Sequence, residues 1–506
     1  MTETARTTDH TSFLRRLSQS SYFNLIVSVT RKCALRCIYC YATDNSINKG
    51  PHIISDDLLE IIIRDAFAVR HPKITFEWTG GEALLAGKVF FEKVIHWQNI
   101  YKDSKKDFEN IIQTSGAVYD EGLYDFLIDN HFTLSMTIDG PPEVHNKNRP
   151  LPCGRGSFDT VFKSFKYIKK RQGHCGVLCT LTHSSIGRMK EIFDFYAREG
   201  ITSWHTNQYS FDNSKPVGEK REGITPDEYA LYFKSQFDYW LKTDSHTVYP
   251  NQVDYLFKAF CGRLESTKCT HGGRCLTNFL NIDPEGNAYL CPKFIGFSDH
   301  RIGNIKDQRI IELIHPHNPR IARYIKERLV AINRCEAESC PYLAVCSSGC
   351  PYGSLLSGQD GTISGRDIMC SGMRDLYQHI DHRLAAYDLK TITKTEQVQK
   401  THRLTKNKKR RGLQKKKKDG PIVRRCASLK HRNLVSRNFK TDRARVDSSQ
   451  NEGIQPRQSQ VSNLYPGISK LTERGRNPRM TWKLNRVKVK LVTCISLNNQ
   501  PEKEAK

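Results

Sequence analysis

The sequence predicts an α/β fold built on a parallel sheet, and three observations predict it. From Ser21 onward, short apolar runs of strand length alternate with longer segments of helical periodicity, six times in succession. A run with three cysteines, Cys33, Cys37 and Cys40, follows directly on the first strand-like run. Eight more cysteines crowd into residues 269–370. A chain of 506 residues also exceeds what one hydrophobic core usually covers, so two or more domains are expected.

The elements follow in order. Phe23 to Thr30 reads as the first strand, and Ser55 to Val69 as a helix with Ser55 as its cap. Lys73 to Thr79 is a second strand, Ala86 to Ile100 a helix, Phe108 to Gln113 a third strand and Glu121 to Asn130 a helix. Phe132 to Ile138, Gly176 to Thr182 and Ile201 to Tyr209 complete the strands, separated by helices over Ser157 to Arg171 and Arg188 to Glu199. Six βα units imply a parallel sheet and are too few for an eight-fold barrel.

The formal net charge of +26 is not spread evenly. Residues 391–506 hold 31 Lys+Arg against 8 Asp+Glu, which leaves the first 390 residues at only +3. The nearly neutral body argues against nucleic acid as a partner of the cysteine-bearing region, since phosphate binding needs clustered cations. The tail carries like-charge runs at Lys406 to Arg411 and Lys415 to Lys418 with poor apolar periodicity, so it is expected to be disordered. Only Trp482 to Leu497 alternates enough for a strand. No run approaches the length needed to span a bilayer and residues 1–20 lack a signal-peptide core, so a soluble cytoplasmic protein without a membrane partner is expected. In that compartment seventeen cysteines favour metal ligation over disulfides.

Cysteines at spacings of four and three let one turn of backbone supply three thiolates to a [4Fe–4S] cubane, leaving the fourth iron for a small molecule. Helix-face packing of buried thiols is the plainer alternative, since such positions share one face. The run Cys33-x3-Cys37-x-Tyr39-Cys40 resembles the radical S-adenosylmethionine (SAM) superfamily. That resemblance implies an open (β/α)6 partial barrel, with SAM bound to the open iron and cleaved to a 5′-deoxyadenosyl radical by an electron from flavodoxin or ferredoxin. It also implies that Tyr39, the strand-end turn Gly80-Gly81-Glu82 and Thr137 contact SAM. Read alone, Gly80-Gly81-Glu82 is a turn where backbone can approach a ligand; Thr137-Ile138-Asp139-Gly140-Pro141, followed by His145 and Arg149, resembles related maturases, and an ordinary turn explains Asp139 nearly as well as ligand binding does. Gln113-Thr114-Ser115-Gly116 resembles the Gln-Thr-Asn-Gly stretch of related maturases, with Ser115 in place of Asn.

The second cysteine series runs Cys269-x5-Cys275, Gly286, Cys291, then Cys335-x4-Cys340-x5-Cys346-x3-Cys350, and Cys370. Two zinc sites remain open on thiolate chemistry alone. The pattern resembles the SPASM domain of radical SAM peptide and protein maturases, related to the anaerobic sulfatase-maturating enzymes. The resemblance implies two auxiliary [4Fe–4S] clusters, one on Cys269, Cys275, Cys291 and Cys350, the other on Cys335, Cys340, Cys346 and Cys370. The gap before Cys340 is four residues where two are usual, so the loop must bulge. The expected organisation is a flexible segment 1–21, a radical SAM partial barrel 22–240, a SPASM domain 241–390 and a basic tail 391–506.

The function expected is modification of a ribosomally made peptide or protein, with formylglycine formation on sulfatases as the alternative. Sulfatase-maturating enzymes typically carry Asp directly after the cysteine matching Cys291, where it takes the substrate proton; here Pro292 and Lys293 follow. A nucleic-acid-associated Fe–S protein is the reading from another class, and the charge partition opposes it. With no Asp after Cys291, the odd-numbered side chains at the end of the sixth strand, His205, Asn207 and Tyr209, become candidates for one lumen face. His205 or Tyr209 is expected to serve as substrate base or contact.

Overall fold

The computed structural model describes residues 22–40, 53–210, 222–243, 248–261, 275–358 and 360–386, all within one compact unit. Residues 1–21, Cys269 and the basic tail, including Trp482 to Leu497, lie outside the described residues. The barrel half runs β1 (Tyr22–Thr30), α1 (Asp56–Ala68), β2 (Lys73–Gly80), α2 (Gly87–Tyr101), β3 (Asp107–Thr114), α3 (Glu121–Asp129) and β4 (Phe132–Thr137). It continues through α4 (Pro142–Asn148), α5 (Phe158–Gln172), β5 (Gly176–Leu181), α6 (Met189–Arg198) and β6 (Ser203–Gln208). Each of the six strands expected from sequence is present within two residues of its expected bounds.

Local signals explain those bounds. Ser55 Oγ accepts from Leu58 N at 3.3 Å, with Asp56 and Asp57 in the first turn of α1, where a carboxylate offsets the positive end of the helix dipole. Strands β2 to β6 alternate, with one face buried and the other partly open. On the buried side Ile74, Phe76 and Trp78 of β2 are fully shielded, with Trp78 edge-on to Phe90 of α2. The opposite face, carrying Glu77, Thr79, Gln113, Thr137, His205 and Asn207, keeps some exposure and lines the concave lumen.

The sheet runs beyond the six expected strands. After α7 (Pro226–Lys242) come β7 (Tyr249–Pro250), α8 (Asn251–Phe260), α9 (Cys275–Asn278), β8 (Phe279–Ile282), β9 (Asn287–Tyr289) and β10 (Gly303–Asn304). The strand order is β10-β9-β8-β1-β2-β3-β4-β5-β6-β7. Strand β8 pairs parallel to β1, from Asn24↔Phe279 to Val27↔Ile282, so the cysteine-rich half is hydrogen-bonded to the strand that feeds the cysteine run. The rest is helical: α10 (Ile310–Leu313), α11 (Pro319–Ala337), α12 (Leu343–Cys346), α13 (Pro351–Ser357) and α14 (Cys370–Ala386). Helix α14 lies on α7, with Arg383 Nε 2.8 Å and His379 Nε2 3.0 Å from Asp238 Oδ1. A Cβ at Gly372 would sit 2.0 Å from Pro226 O, so only glycine allows this approach two residues after Cys370. No helix among the described residues is long and apolar enough to cross a membrane.

Candidate active site

The cysteine run leaves β1 at the C-terminal edge of the sheet and is gripped from two sides. On one, Gly81 N donates to Thr30 O at 2.7 Å and Glu82 N to Lys32 O at 2.8 Å. On the other, Arg36 N donates to Pro150 O at 2.8 Å and Ile38 N to Asn148 O at 3.0 Å. The paired glycines are explained by this grip. A Cβ at Gly81 would lie 2.3 Å from Lys32 O, and one at Gly80 (φ 125°) 2.5 Å from Thr30 O. The close approach they permit is to the cysteine loop itself.

Cys33, Cys37 and Cys40 are half-buried thiols outside any disulfide. Burial raises the Cys33 pKa and pushes Cys37 up to about 12, and charge on the neighbouring cysteines raises both further. Arg149 works against this at each. Thiols so placed ionise when a metal cation takes the charge, which is the condition a cluster ligand meets. Among the described residues no three His, Cys, Asp or Glu side chains converge on a single-ion site. A cubane differs in giving each thiolate its own iron, so the three-thiol loop fits a cluster better than a zinc ion.

Beneath the loop lies a network of buried polar groups. Glu82 is 1% exposed; Oε1 accepts from Leu84 N (3.1 Å) and Thr114 Oγ1 (2.8 Å), while Oε2 accepts from Ser115 N (2.8 Å) and Ser115 Oγ. Both oxygens are therefore engaged by protein donors. Tyr39 donates to Asp139 Oδ2 at 2.9 Å and accepts from Arg149 at 2.7 Å. Asp139, fully buried, also accepts from Thr180 N at 2.9 Å. Burial raises its pKa while Arg149 opposes the rise; around Arg149, burial is outweighed by Tyr39, Cys37 and Asp139, which hold the guanidinium charged. Gln113 Nε2 donates to Thr137 Oγ1 at 3.2 Å, on the lumen face two strands from the loop.

At the far strand, the Tyr209 ring stands 6.4 Å from that of Tyr39, beside the cysteine loop. His205 Nε2 lies 3.4 Å from Gln252 Nε2 of α8, which also binds the Thr206 backbone. The two alternatives for substrate base or contact thus have different surroundings.

In the cysteine-rich half, Cys335, Cys340, Cys346 and Cys370 line a single cavity with Arg366, Asp367 and Tyr377. Burial raises the pKa of Cys335 and Cys370, and pushes that of Cys346 up to about 12. The four-residue gap before Cys340 is absorbed at the end of α11. Cys340 N donates to Cys335 O at 2.9 Å, and Ser339 takes the left-handed conformation (φ 51°). Arg328, wholly buried, donates to Ser347 O (2.8 Å) and Gly349 O (3.0 Å), fixing the turn between Cys346 and Cys350. Asp367 Oδ2 accepts from Cys350 N at 2.6 Å. The turn at Cys291 meets the one at Cys350 through Phe294 and Tyr352, whose ring centroids are 5.7 Å apart.

Residues 27–211 match the profile of the Radical SAM superfamily. Residues 27–211 form a radical SAM domain. Two curated relatives support the match. The cysteine-type anaerobic sulfatase-maturating enzyme of Clostridium perfringens is 26% identical over 335 residues, covering 64% of this chain and 88% of the relative. The serine-type enzyme of Bacteroides thetaiotaomicron is 24% identical over 378 residues, covering 70% and 88%. The fold matches anSMEcpe with bound AdoMet at a TM-score of 0.64, 24% identity, 72% of this chain and 98% of that one. It matches Streptococcus suis SuiB bound to S-adenosylmethionine at a TM-score of 0.52 and 16% identity, covering 72% and 81%. The superfamily uses a [4Fe–4S] cluster and SAM, and the cysteine loop of this domain has the donor set for such a cluster.

Sequence reasoning placed Asp139 and Arg149 only within the turn after the fourth strand, without their partners, and passed over Arg31. Arg31 lies 3.5 Å from Asp283 Oδ2 and also pairs with Glu285, tying the loop to the β8–β9 turn. A lone Asp or Arg in a turn carries no local signal; only the buried partner from a distant segment reveals it.

Proposed function

We propose that this radical SAM enzyme is a maturase of a ribosomally made peptide or protein. Cys33, Cys37 and Cys40 hold its SAM-binding cluster, and SAM lies against Tyr39, Gly80, Gly81, Glu82 and Thr137. When bound, cluster and SAM together supply hydrogen-atom abstraction from the substrate. Residues 22–240 form the radical barrel and 241–390 the SPASM domain. There, Cys269, Cys275, Cys291 and Cys350 take one auxiliary [4Fe–4S] cluster, and Cys335, Cys340, Cys346 and Cys370 the other. Flavodoxin or ferredoxin provides the electron.

The observation that carries this reading is the cavity shared by Cys335, Cys340, Cys346 and Cys370, four thiols from separate elements facing one space. A second full thiol set is more than SAM cleavage needs, and suits an enzyme that must also take an electron from its substrate. The peptide class is supported by two fold neighbours described with bound peptides, anSMEcpe with the Cp18Cys peptide and SuiB with the precursor peptide SuiA. Tyr209, beside Tyr39 on the lumen side, is the better placed of the two substrate-contact candidates, with His205 farther round the strand edge. Formylglycine formation is the second reading, favoured by the curated relatives. It is opposed by Pro292, which opens a short 3-10 turn directly after Cys291 and has no group to accept a proton.

The test uses the full chain reconstituted anaerobically with iron and sulfide. Wild type should form 5′-deoxyadenosine and hold about twelve irons, and Cys33→Ala, Cys37→Ala and Cys40→Ala should each abolish the nucleoside product. Mass spectrometry of candidate precursor peptides and of a sulfatase-type peptide then separates the two readings. Formylglycine on the latter would replace the proposal, and an iron content near one cubane would remove the auxiliary clusters.

A further inference from the structure

Four described carboxyl groups have pKa values raised by burial: Glu77, Asp139, Glu285 and Asp367. Three of them face a cation of the chain. Arg149 offsets Asp139, Arg31 offsets Glu285, and Arg328 and Lys293 offset Asp367. Among the described residues Glu77 faces none, and no hydrogen bond from them reaches its carboxylate. It stands on β2 between Phe76 and Trp78, both turned to the helices, so its side chain enters the lumen. In register beside it are Ile26 of β1 and Ile111 of β3, two apolar neighbours that offer no donor. Three residues, about 10 Å of strand, separate it from Gly80 and the grip on the cysteine loop. One pleat pair nearer the strand's start, the next carboxylate column is closed: Glu109 accepts from Thr75 Oγ1 at 2.8 Å and lies 3.2 Å from Lys73 Nζ. Among the described residues, the floor of the lumen is therefore neutralised and the level above it is not.

A half-buried lumen carboxylate flanked in register by two isoleucines, with no described cation or donor beside it, gains a charge partner when a cation arrives. We propose that Glu77 is a specificity residue that receives a cationic side chain, lysine or arginine, of the peptide substrate as it enters the lumen. This rests on the peptide-maturase reading and extends it from a substrate class to a charge at a defined position. The contact is non-covalent. Its charge is matched only while the peptide is bound, which makes Glu77 a discriminator against peptides with a neutral residue there.

The experiment uses the full chain reconstituted with iron, sulfide and SAM, and measures binding calorimetrically. The probes are acetyl-Gly-Lys-Gly-amide, acetyl-Gly-Arg-Gly-amide and the norleucine analogue of the same length. Wild type should bind the cationic probes about tenfold more tightly than the norleucine peptide, and Glu77→Gln should erase the difference. SAM affinity should stay unchanged in Glu77→Gln. Equal binding of all three probes by wild type, as when a cation of the chain itself fills the site, overturns the proposal. So does a Glu77→Gln loss of SAM affinity with probe selectivity intact, which would make the sulfonium the cation. Selective probe binding without modification of any peptide would remove the maturase reading and leave the cation site standing. Peptide modification that ignores both the substrate's charge and Glu77→Gln would remove the cation site alone.

Discussion

Tyr39, inside the cysteine run, donates its hydroxyl to Asp139 Oδ2 at 2.9 Å, across one hundred residues of chain. The same oxygen accepts from Arg149 at 2.7 Å, so a neutral phenol stands between a buried acid and a buried base. Arg149 also opposes the burial of Cys37 and reaches Ser115 O at 3.4 Å. One cation thereby serves the cysteine loop, the third strand's end and the turn after the fourth. The loop's shape is thus held by contacts with the barrel.

Removing the hydroxyl should expose that dependence. Tyr39→Phe leaves Asp139 and Arg149 each short of a partner, at a cost of about 2–3 kcal/mol in urea unfolding of the full chain. Asp139→Asn in the Tyr39→Phe background should add less than it costs alone, because the two act on one network. Full additivity would mean the network is not a unit.

Gly81→Ala tests the grip from the other side. Its Cβ would overlap Lys32 O, so the cysteine loop must move and about four of about twelve irons should be lost on reconstitution. Gly87→Ala is the control. Its φ of 75° makes alanine strained, but nothing lies within 4 Å, so it should cost about 1 kcal/mol and no iron.

The βα rhythm was legible because each element announces itself locally. Ser55 caps α1, strands such as Phe132–Thr137 bury alternate side chains, and β1 is apolar almost throughout. Strand β8 was not legible: Phe279–Ile282 is four residues long and becomes a strand only against the edge of β1. The three loop cysteines stand out by their spacing, and Cys335, Cys340, Cys346 and Cys370 line one cavity. An ordinary turn explained Asp139 nearly as well as ligand binding did, because its partners Tyr39 and Thr180 lie far away in sequence. The glycines before Glu82 were expected to let backbone approach a ligand, and the structure gives them a second reason, since a Cβ at either would meet backbone of residues 29–32. Local patterns predict elements; non-local burial decides which polar residues matter.

Arg328→Met should separate the two halves of the chemistry. The guanidinium holds the carbonyls of Ser347 and Gly349, and methionine fills similar space without those bonds, at about 2–3 kcal/mol in unfolding free energy. Iron content should fall as the turn carrying Cys346 and Cys350 loosens. SAM cleavage without substrate should persist, since the Cys33 loop is untouched. Equal loss of both would show that the cysteine-rich half supports the barrel as a whole.

The last prediction uses the sign of the Glu77 shift. Burial raises its pKa above the ordinary glutamate value of 4.5, so the folded state holds the proton more tightly than the unfolded one. Its contribution to stability is therefore fully present below the unfolded pKa and is lost as pH rises through the folded one. At neutral pH the carboxylate is a net liability, and Glu77→Gln, which keeps the shape and removes the charge, should raise the melting temperature. The gain should shrink as the pH is lowered toward the ordinary glutamate range, where wild type and variant carry the same neutral group. Melting curves of the two proteins across that range decide it. A gain that is constant with pH would mean the amide is simply better packed, and a loss at neutral pH would mean that the carboxylate already has a cation within the chain.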